Sequence, residues 1–199
     1  ILVIGTTADY IQWIRHSCPG RALFITAPGI RQTAEEDCPS PSEEILVNLS
    51  DTSRVFDALE NHLKTWDQVI DGIFSFDCES MGLTAAIAEK WDLDYPSLKA
   101  IQNCRDKYIS KQIWESHGIG CPRVSPINTV TDVLAFFHSV NSGCVLKPLT
   151  GSGSELVFKC ISESDCRLAF ALIHEGLESR TQNPLFKKST SQEHLMLAE

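Results

Sequence analysis

Short apolar runs that alternate with amphipathic helices over the first ~100 residues constrain this fold more than any other feature of the sequence. Residues 1–5, Ile-Leu-Val-Ile-Gly, read as a buried strand ending in glycine, and residues 8–17 as a helix carrying Tyr10, Ile11, Trp13 and Ile14. Residues 22–26 and 44–49 read as two further strands, separated by a Pro/Glu/Asp/Ser-rich stretch at 28–43 expected to be an exposed loop. From Ser50 to Trp66, Val55, Phe56, Leu59 and Leu63 recur at helical spacing, with Asp51 or Ser50 able to cap the start. Val69 to Phe76 gives a fourth strand, with a bend at Gly72, and residues 80–93 a helix bearing Met81, Leu83, Ala86, Ile87 and Trp91. Strands without polar alternation, joined by helices, predict a parallel Rossmann-like sheet covered on both faces. The turn after the first strand, Gly5-Thr6-Thr7-Ala8-Asp9, lacks the G-x-G-x-x-G pattern, so a dinucleotide site is not expected there.

After Tyr95-Pro96 the texture changes. Arg105 to His117 reads as a helix with Ile109, Ile113 and Trp114 on one side, stopped by Gly118 and Pro122. Residues 130–141 read as a second helix with Val130, Val133, Leu134 and Phe137 on one face, opened by a Thr129/Asp132 capping box. Cys144 to Ile161 reads as a hairpin. Ser162 or Ser164 then caps a helix running to about Gly176, with Leu168, Leu172 and Ile173 facing inward. Residues 178–192 are expected to be a loop and Leu195 to Glu199 a last strand. Both ends read as cut inside or beside structure, as expected of a fragment of a longer polypeptide.

The hairpin carries the chemistry. Lys147 ends the first arm, and Gly151, Ser152, Gly153 and Ser154 form the tip. Glycines let a backbone turn its N–H groups toward a ligand, and a lysine at the base adds positive charge, so the pattern suits a polyphosphate. It is not a Walker A loop, because the lysine precedes the glycines and a strand follows them. An ordinary hairpin with a Gly-rich tip has the same pattern. Lys107 opens the helix after Cys104-Arg105-Asp106, and with Arg105 and Lys111 places positive charge where helix N–H groups already favour anions; a solvated helix face reads the same way. Asp77 and Glu79 follow a strand end and are read as helix caps, and Glu199 ends the last strand.

Composition excludes several classes. The 199 residues have a formal net charge of −9, so nucleic acid is not an expected partner. No apolar run has spanning length, so neither is a membrane. The eight cysteines form no C-x-x-C pair and the six histidines no zinc-spaced cluster, which points to reduced, buried thiols in a cytosolic protein.

The order of these parts resembles the ATP-grasp superfamily, and within it the carboxylate–amine ligases such as L-amino acid ligases. The resemblance rests on Arg105-Asp106-Lys107 opening a helix, Gly118 and Pro122 ending it, a helix, the strand ending Leu146-Lys147-Pro148, a Gly/Ser loop and a strand. It implies an α/β chain: a Rossmann-like, pre-ATP-grasp domain over residues 1–98, then an incomplete, lid-bearing α+β part of an ATP-grasp domain over 99–199. It further implies ATP and Mg²⁺ as cofactors, small carboxylate and amine substrates, and is compatible with a homodimer. By position, Lys107 and Lys147 resemble the family's two nucleotide lysines. Gly151, Ser152, Gly153 and Ser154 resemble the loop over the β- and γ-phosphates, and Glu199 the acidic residue beside the adenine. The Mg²⁺ ligands and catalytic arginine are expected downstream, so no metal ligand or catalytic residue is assigned here. The alternatives are a bicarbonate-using carboxylase or carbamoyl-phosphate-synthase-like enzyme of the same superfamily, and a non-catalytic α/β ligand-binding module.

Overall fold

The computed structural model describes residues 1–32, 34–140, 142–180, 194 and 196–199. They form two compact units, Ile1–Ile101 and Gln102–Glu199. In the first, strands β1 (Leu2–Ile4), β2 (Leu23–Thr26), β3 (Glu44–Leu46) and β4 (Ile73–Ser75) pair in parallel, in the order β3-β2-β1-β4. Helices α1 (Ala8–Ser17), α2 (Thr52–Trp66) and α3 (Met81–Trp91) connect them, with a single 3-10 turn at Pro28–Arg31.

The strands lack polar alternation because both faces of the sheet are buried. Val3 and Phe24 pack with Ile11 of α1 on one face. Leu2, Ile4, Ile25, Ile45 and Ile73 pack with Val55 and Leu59 of α2 and Ile87 and Ala88 of α3 on the other. Each such side chain, taken fully out of water, stabilises the fold by about 1.5–3 kcal/mol. Asp51 caps α2, its carboxylate accepting from the Arg54 N–H at 3.1 Å. At the other end, Asp67 takes a left-handed conformation (φ 49°) that stops the helix.

The sheet order reverses between β1 and β4, and Gly5 sits at that switch point with φ +62°. A Cβ there would lie 2.0 Å from Ser80 Oγ and 2.7 Å from Asp77 Oδ2, so only glycine fits. Asp77 Oδ1 accepts from the Ser80 N–H at 2.9 Å and so closes the turn before α3, rather than capping the helix as expected: its cap position is Ser80, which makes no side-chain cap hydrogen bond.

Helix α4 (Leu98–Arg105) spans the division between the units. The second unit continues with α5 (Lys107–Ser116), β5 (Ser125–Ile127), α6 (Val130–Ser139), β6 (Cys144–Pro148), β7 (Phe158–Cys160), α7 (Glu163–Glu178) and β8 (Met196–Ala198). Its sheet is antiparallel, in the order β5-β8-β6-β7. One face is dry: Ile127, Leu146, Met196 and Ala198 meet Val133 and Phe136 of α6 and Ala169 and Ile173 of α7. The Thr129/Asp132 capping box is complete, and Ser162 is the cap of α7, accepting from the Asp165 N–H at 3.1 Å.

Several expectations are corrected. Leu168 and Leu172 are exposed, at 61% and 39%; the buried stripe of α7 is Cys166, Ala169, Ile173 and Gly176. The expected helix from Arg105 is interrupted at Asp106, which caps α5, and Trp114 is exposed while Lys111 is buried. Leu156 and Val157 precede β7 rather than belonging to it. Cys18, Cys38, Cys78 and Cys104 are exposed, so burial holds only for Cys144, Cys160 and Cys166, with Cys121 intermediate. Most of the expected loop at 178–192, and Leu195, lie outside the described residues.

Candidate functional site

The alternation that sends Cys144, Leu146 and Pro148 of β6 into the core sends Lys147 to the opposite face. Lys147 lies opposite Leu197 of β8, and the ladder continues one step, with Val145 and Glu199 exchanging backbone hydrogen bonds of 2.7 and 3.0 Å. Glu199 follows Leu197 by two residues and so shares its face. The Lys147 ammonium donates to Glu199 Oε1, and Lys111 Nζ lies 2.5 Å from Glu199 Oε2. The side chains of Lys111, Lys147 and Glu199 are only 10%, 15% and 17% exposed.

Helix α5 delivers the remaining charge. Asp106 is buried, and its Oδ1 accepts from the N–H groups of Tyr108 and Ile109 at 2.9 Å, fixing where the helix begins. Lys107 and Lys111 then stand one turn apart on the same side of the helix. The Lys107 backbone N–H donates to the Leu149 carbonyl at 3.0 Å. Its ammonium donates to the carbonyls of Leu149 and Gly151, at 3.3 and 3.2 Å. The start of the β6–β7 connection is therefore tied to the first residue of α5.

That connection runs over residues 149–157 and has an unusual backbone. Gly151 (φ 111°), Gly153 (φ 68°), Ser154 (φ 59°) and Leu156 (φ 59°) all take positive φ. For the two non-glycine residues this costs energy. Ser152, Gly153 and Ser154 stand at an exposed tip, and a Cβ built on Gly153 would meet no heavy atom within 4 Å. Loop carbonyls face Lys107, while the tip is open.

The electrostatics are mutually coupled. Burial alone would raise the Glu199 carboxyl, but hydrogen bonds and charge from Lys111 and Lys147 more than offset it and hold the group below its usual range. Burial first, and then the neighbouring Lys147 charge, hold the Lys107 ammonium below its ordinary value, against the pull of Asp106 and Glu199. Lys107, Lys111, Lys147 and Arg105 outnumber Asp106 and Glu199, a local positive surplus in a chain whose net charge is −9. That donor set suits an anion with several oxygens. It does not suit a hard divalent cation, since the only group of three or more metal-ligating side chains among the described residues is Cys144, Cys160 and Cys166.

The structure thus brings Lys107, Lys147, Glu199 and the Gly151 carbonyl together, and leaves Ser152, Gly153 and Ser154 at the open tip. The sequence places Lys111 among the positive charges at the start of this helix and Asp106 beside Lys107, but gives neither a role in the site. The available signal was spacing: Lys111 is four residues after Lys107, and Asp106 occupies the capping position before it.

Comparison with solved structures places the whole architecture. The L-amino acid ligase from Bacillus licheniformis matches 100% of this chain at 17% identity and a TM-score of 0.65. The biotin carboxylase domain of 2-oxoglutarate carboxylase from Hydrogenobacter thermophilus matches 98% at 16% identity and 0.62. N5-carboxyaminoimidazole ribonucleotide synthetase from Thermotoga maritima matches 100% at 14% identity and 0.55. The chain has the fold that these ligases and carboxylases share over the matched part of their length. The chain spans 43%, 43% and 44% of those three proteins, less than half the length of each. At these identities the likeness is one of fold. No protein-family model matches the sequence, and neither does any curated protein. Among the described residues no helix is long and apolar enough to cross a membrane.

Proposed function

We propose that this chain is the nucleotide-holding part of an ATP-dependent ligase that activates a carboxylate as an acyl phosphate for attack by an amine, with release of ADP and phosphate. Residues 1–98 would be its first domain and 99–199 the beginning of its ATP-grasp domain. One observation carries the reading: Lys111 and Lys147 pair with Glu199, and the Lys107 ammonium holds the Leu149 and Gly151 carbonyls at the base of a Gly/Ser loop whose tip is open.

In this reading Lys107 and Lys147 hold the phosphates and Gly151 to Ser154 fold over them, turning backbone N–H groups inward. Glu199 accepts from the adenine edge. Lys111 keeps that carboxylate ionised and in place, so that Lys147 can turn to phosphate without leaving a bare buried charge. ATP supplies the phosphoryl group that turns a poor electrophile into a reactive one. The closed loop would keep water from the activated acid. Mg²⁺ ligands would come from outside these 199 residues.

The test uses the full-length protein. ATP turnover is measured with pairs of amino acids and, separately, with bicarbonate. ADP formed only with an amino-acid pair supports the ligase, and AMP as product refutes the acyl-phosphate route. The solved relatives also include a carboxylase complex holding ADP and bicarbonate. ADP formed with bicarbonate and no amino acid would move the assignment to that chemistry. Lys147→Ala should abolish ATP binding in calorimetry; unchanged binding and turnover would remove Lys147 from the nucleotide site, and an unsubstituted protein with no turnover on any of these substrates would favour a non-catalytic module.

A further inference from the structure

The dry core of the second unit holds three cysteines that the nucleotide reading does not use. Cys144 and Cys160 are direct partners across β6 and β7. Ile161 and Ser162 then turn the chain so that the first turn of α7 brings Cys166 over the same spot. The three are 5%, 0% and 0% exposed, and their sulfurs all lie within 4.8 Å of one another. Three thiolates at about 2.3 Å from one centre stand about 4 Å apart if the centre is planar and closer if a lone pair folds it into a pyramid, so each sulfur must move inward by under about 1 Å.

We propose that Cys144, Cys160 and Cys166 form a three-sulfur site for a trivalent thiophilic element, arsenic(III) being the probe of that class. Charge decides the valence. The three belong to the same buried apolar cluster as Ile127, Val133, Phe136, Leu146 and Met196. Burial pushes the Cys144 thiol up to about 11, with Cys166 adding to the effect and a hydrogen bond with Cys160 opposing it, and pushes the Cys160 thiol up to about 12 with both other thiols adding, so negative charge is unwelcome there. Three thiolates leave a monovalent ion at −2 and a divalent ion at −1, whereas a trivalent ion gives a neutral complex that an apolar core accepts. The exchange balances without redox chemistry. Arsenous acid, As(OH)₃, loses its three As–O bonds, forms three As–S bonds, and the three thiol protons leave with the hydroxides as water. The site is independent of Lys107, Lys147 and Glu199, so it stands or falls separately from the nucleotide.

The test takes reduced, folded full-length protein with its accessible thiols first alkylated by iodoacetamide. Sodium arsenite is then added and the mass read by native mass spectrometry. The expected result is one arsenic per chain, with a mass gain of one arsenic less three hydrogens. Cys144, Cys160 and Cys166 should then resist alkylation once the protein is unfolded. Cys166→Ala should lose the three-coordinate adduct. Should that variant not fold, the alkylation pattern of the unsubstituted protein decides alone. No adduct, an adduct retaining a hydroxide on two sulfurs, or Zn²⁺ bound in preference to arsenite would each overturn the proposal.

Discussion

Replacing Glu199 with glutamine keeps the shape of the side chain and removes its charge, leaving the ammonium groups of Lys111 and Lys147 without their shared anion. Breaking a fully buried ion pair by deleting one partner costs about 3–5 kcal/mol. These side chains are 10–17% exposed, and water reaches part of each, so about 2–3 kcal/mol is the expected loss at pH 7. In a unit of roughly 100 residues that lowers the melting temperature by about 10–20 °C. Urea denaturation reads it directly if Trp13, Trp66 and Trp91 are phenylalanine in both chains, since Trp114 is then the only tryptophan and lies in the second unit. The pH dependence is the sharper check. The folded carboxyl titrates below the ordinary value of 4.5, so its stabilisation is present above 4.5 and is lost as pH falls through the folded value. The gap between the two chains should therefore be full at neutral pH and close in acid. No gap at pH 7, or one unchanged down to pH 3, would refute the ion-pair account.

Asp106→Ala removes the cap of α5 with its two accepted hydrogen bonds and should cost about 1–2 kcal/mol by urea denaturation, while Asp106→Asn should keep most of it. Gly5→Ala meets both a left-handed backbone and the Ser80 hydroxyl, and should cost about 2–4 kcal/mol; a cost under about 0.5 kcal/mol would mean the turn relaxes freely. Lys107 titrates below 10.5 in the fold, so the unfolded chain binds the extra proton between the two values. The stability of the unsubstituted protein should therefore rise relative to Lys107→Met as pH climbs toward 10.5, as urea midpoints from pH 8 upward would show.

The parallel sheet was legible because strands buried on both faces leave continuous apolar runs, as Leu2-Val3-Ile4 and Leu23-Phe24-Ile25 do. The caps at Asp51, Thr129 and Ser162 were legible because their mechanism spans only a few residues. The inner face of α7 was not. Hydropathy ranks Leu168 and Leu172 above Cys166, Ala169 and Gly176, yet the small residues face inward. Gly176 lies so close to Leu156 that a Cβ there would come within 2.7 Å of its side chain. The role of Lys111 was hidden for a different reason. A lysine on a helix reads as a solvated face, and only its distant partner Glu199, placed by the β6–β8 ladder, makes it part of the site.

The position of β8 has a consequence for how the second unit is made. Met196–Ala198 follows β5, β6 and β7 in sequence, yet it lies between β5 and β6, which have no direct pairing with each other among the described strands. During synthesis, β5 and the β6–β7 hairpin emerge first and must wait with open hydrogen-bonding edges. The described sheet of this unit therefore cannot close until residues 196–198 have emerged.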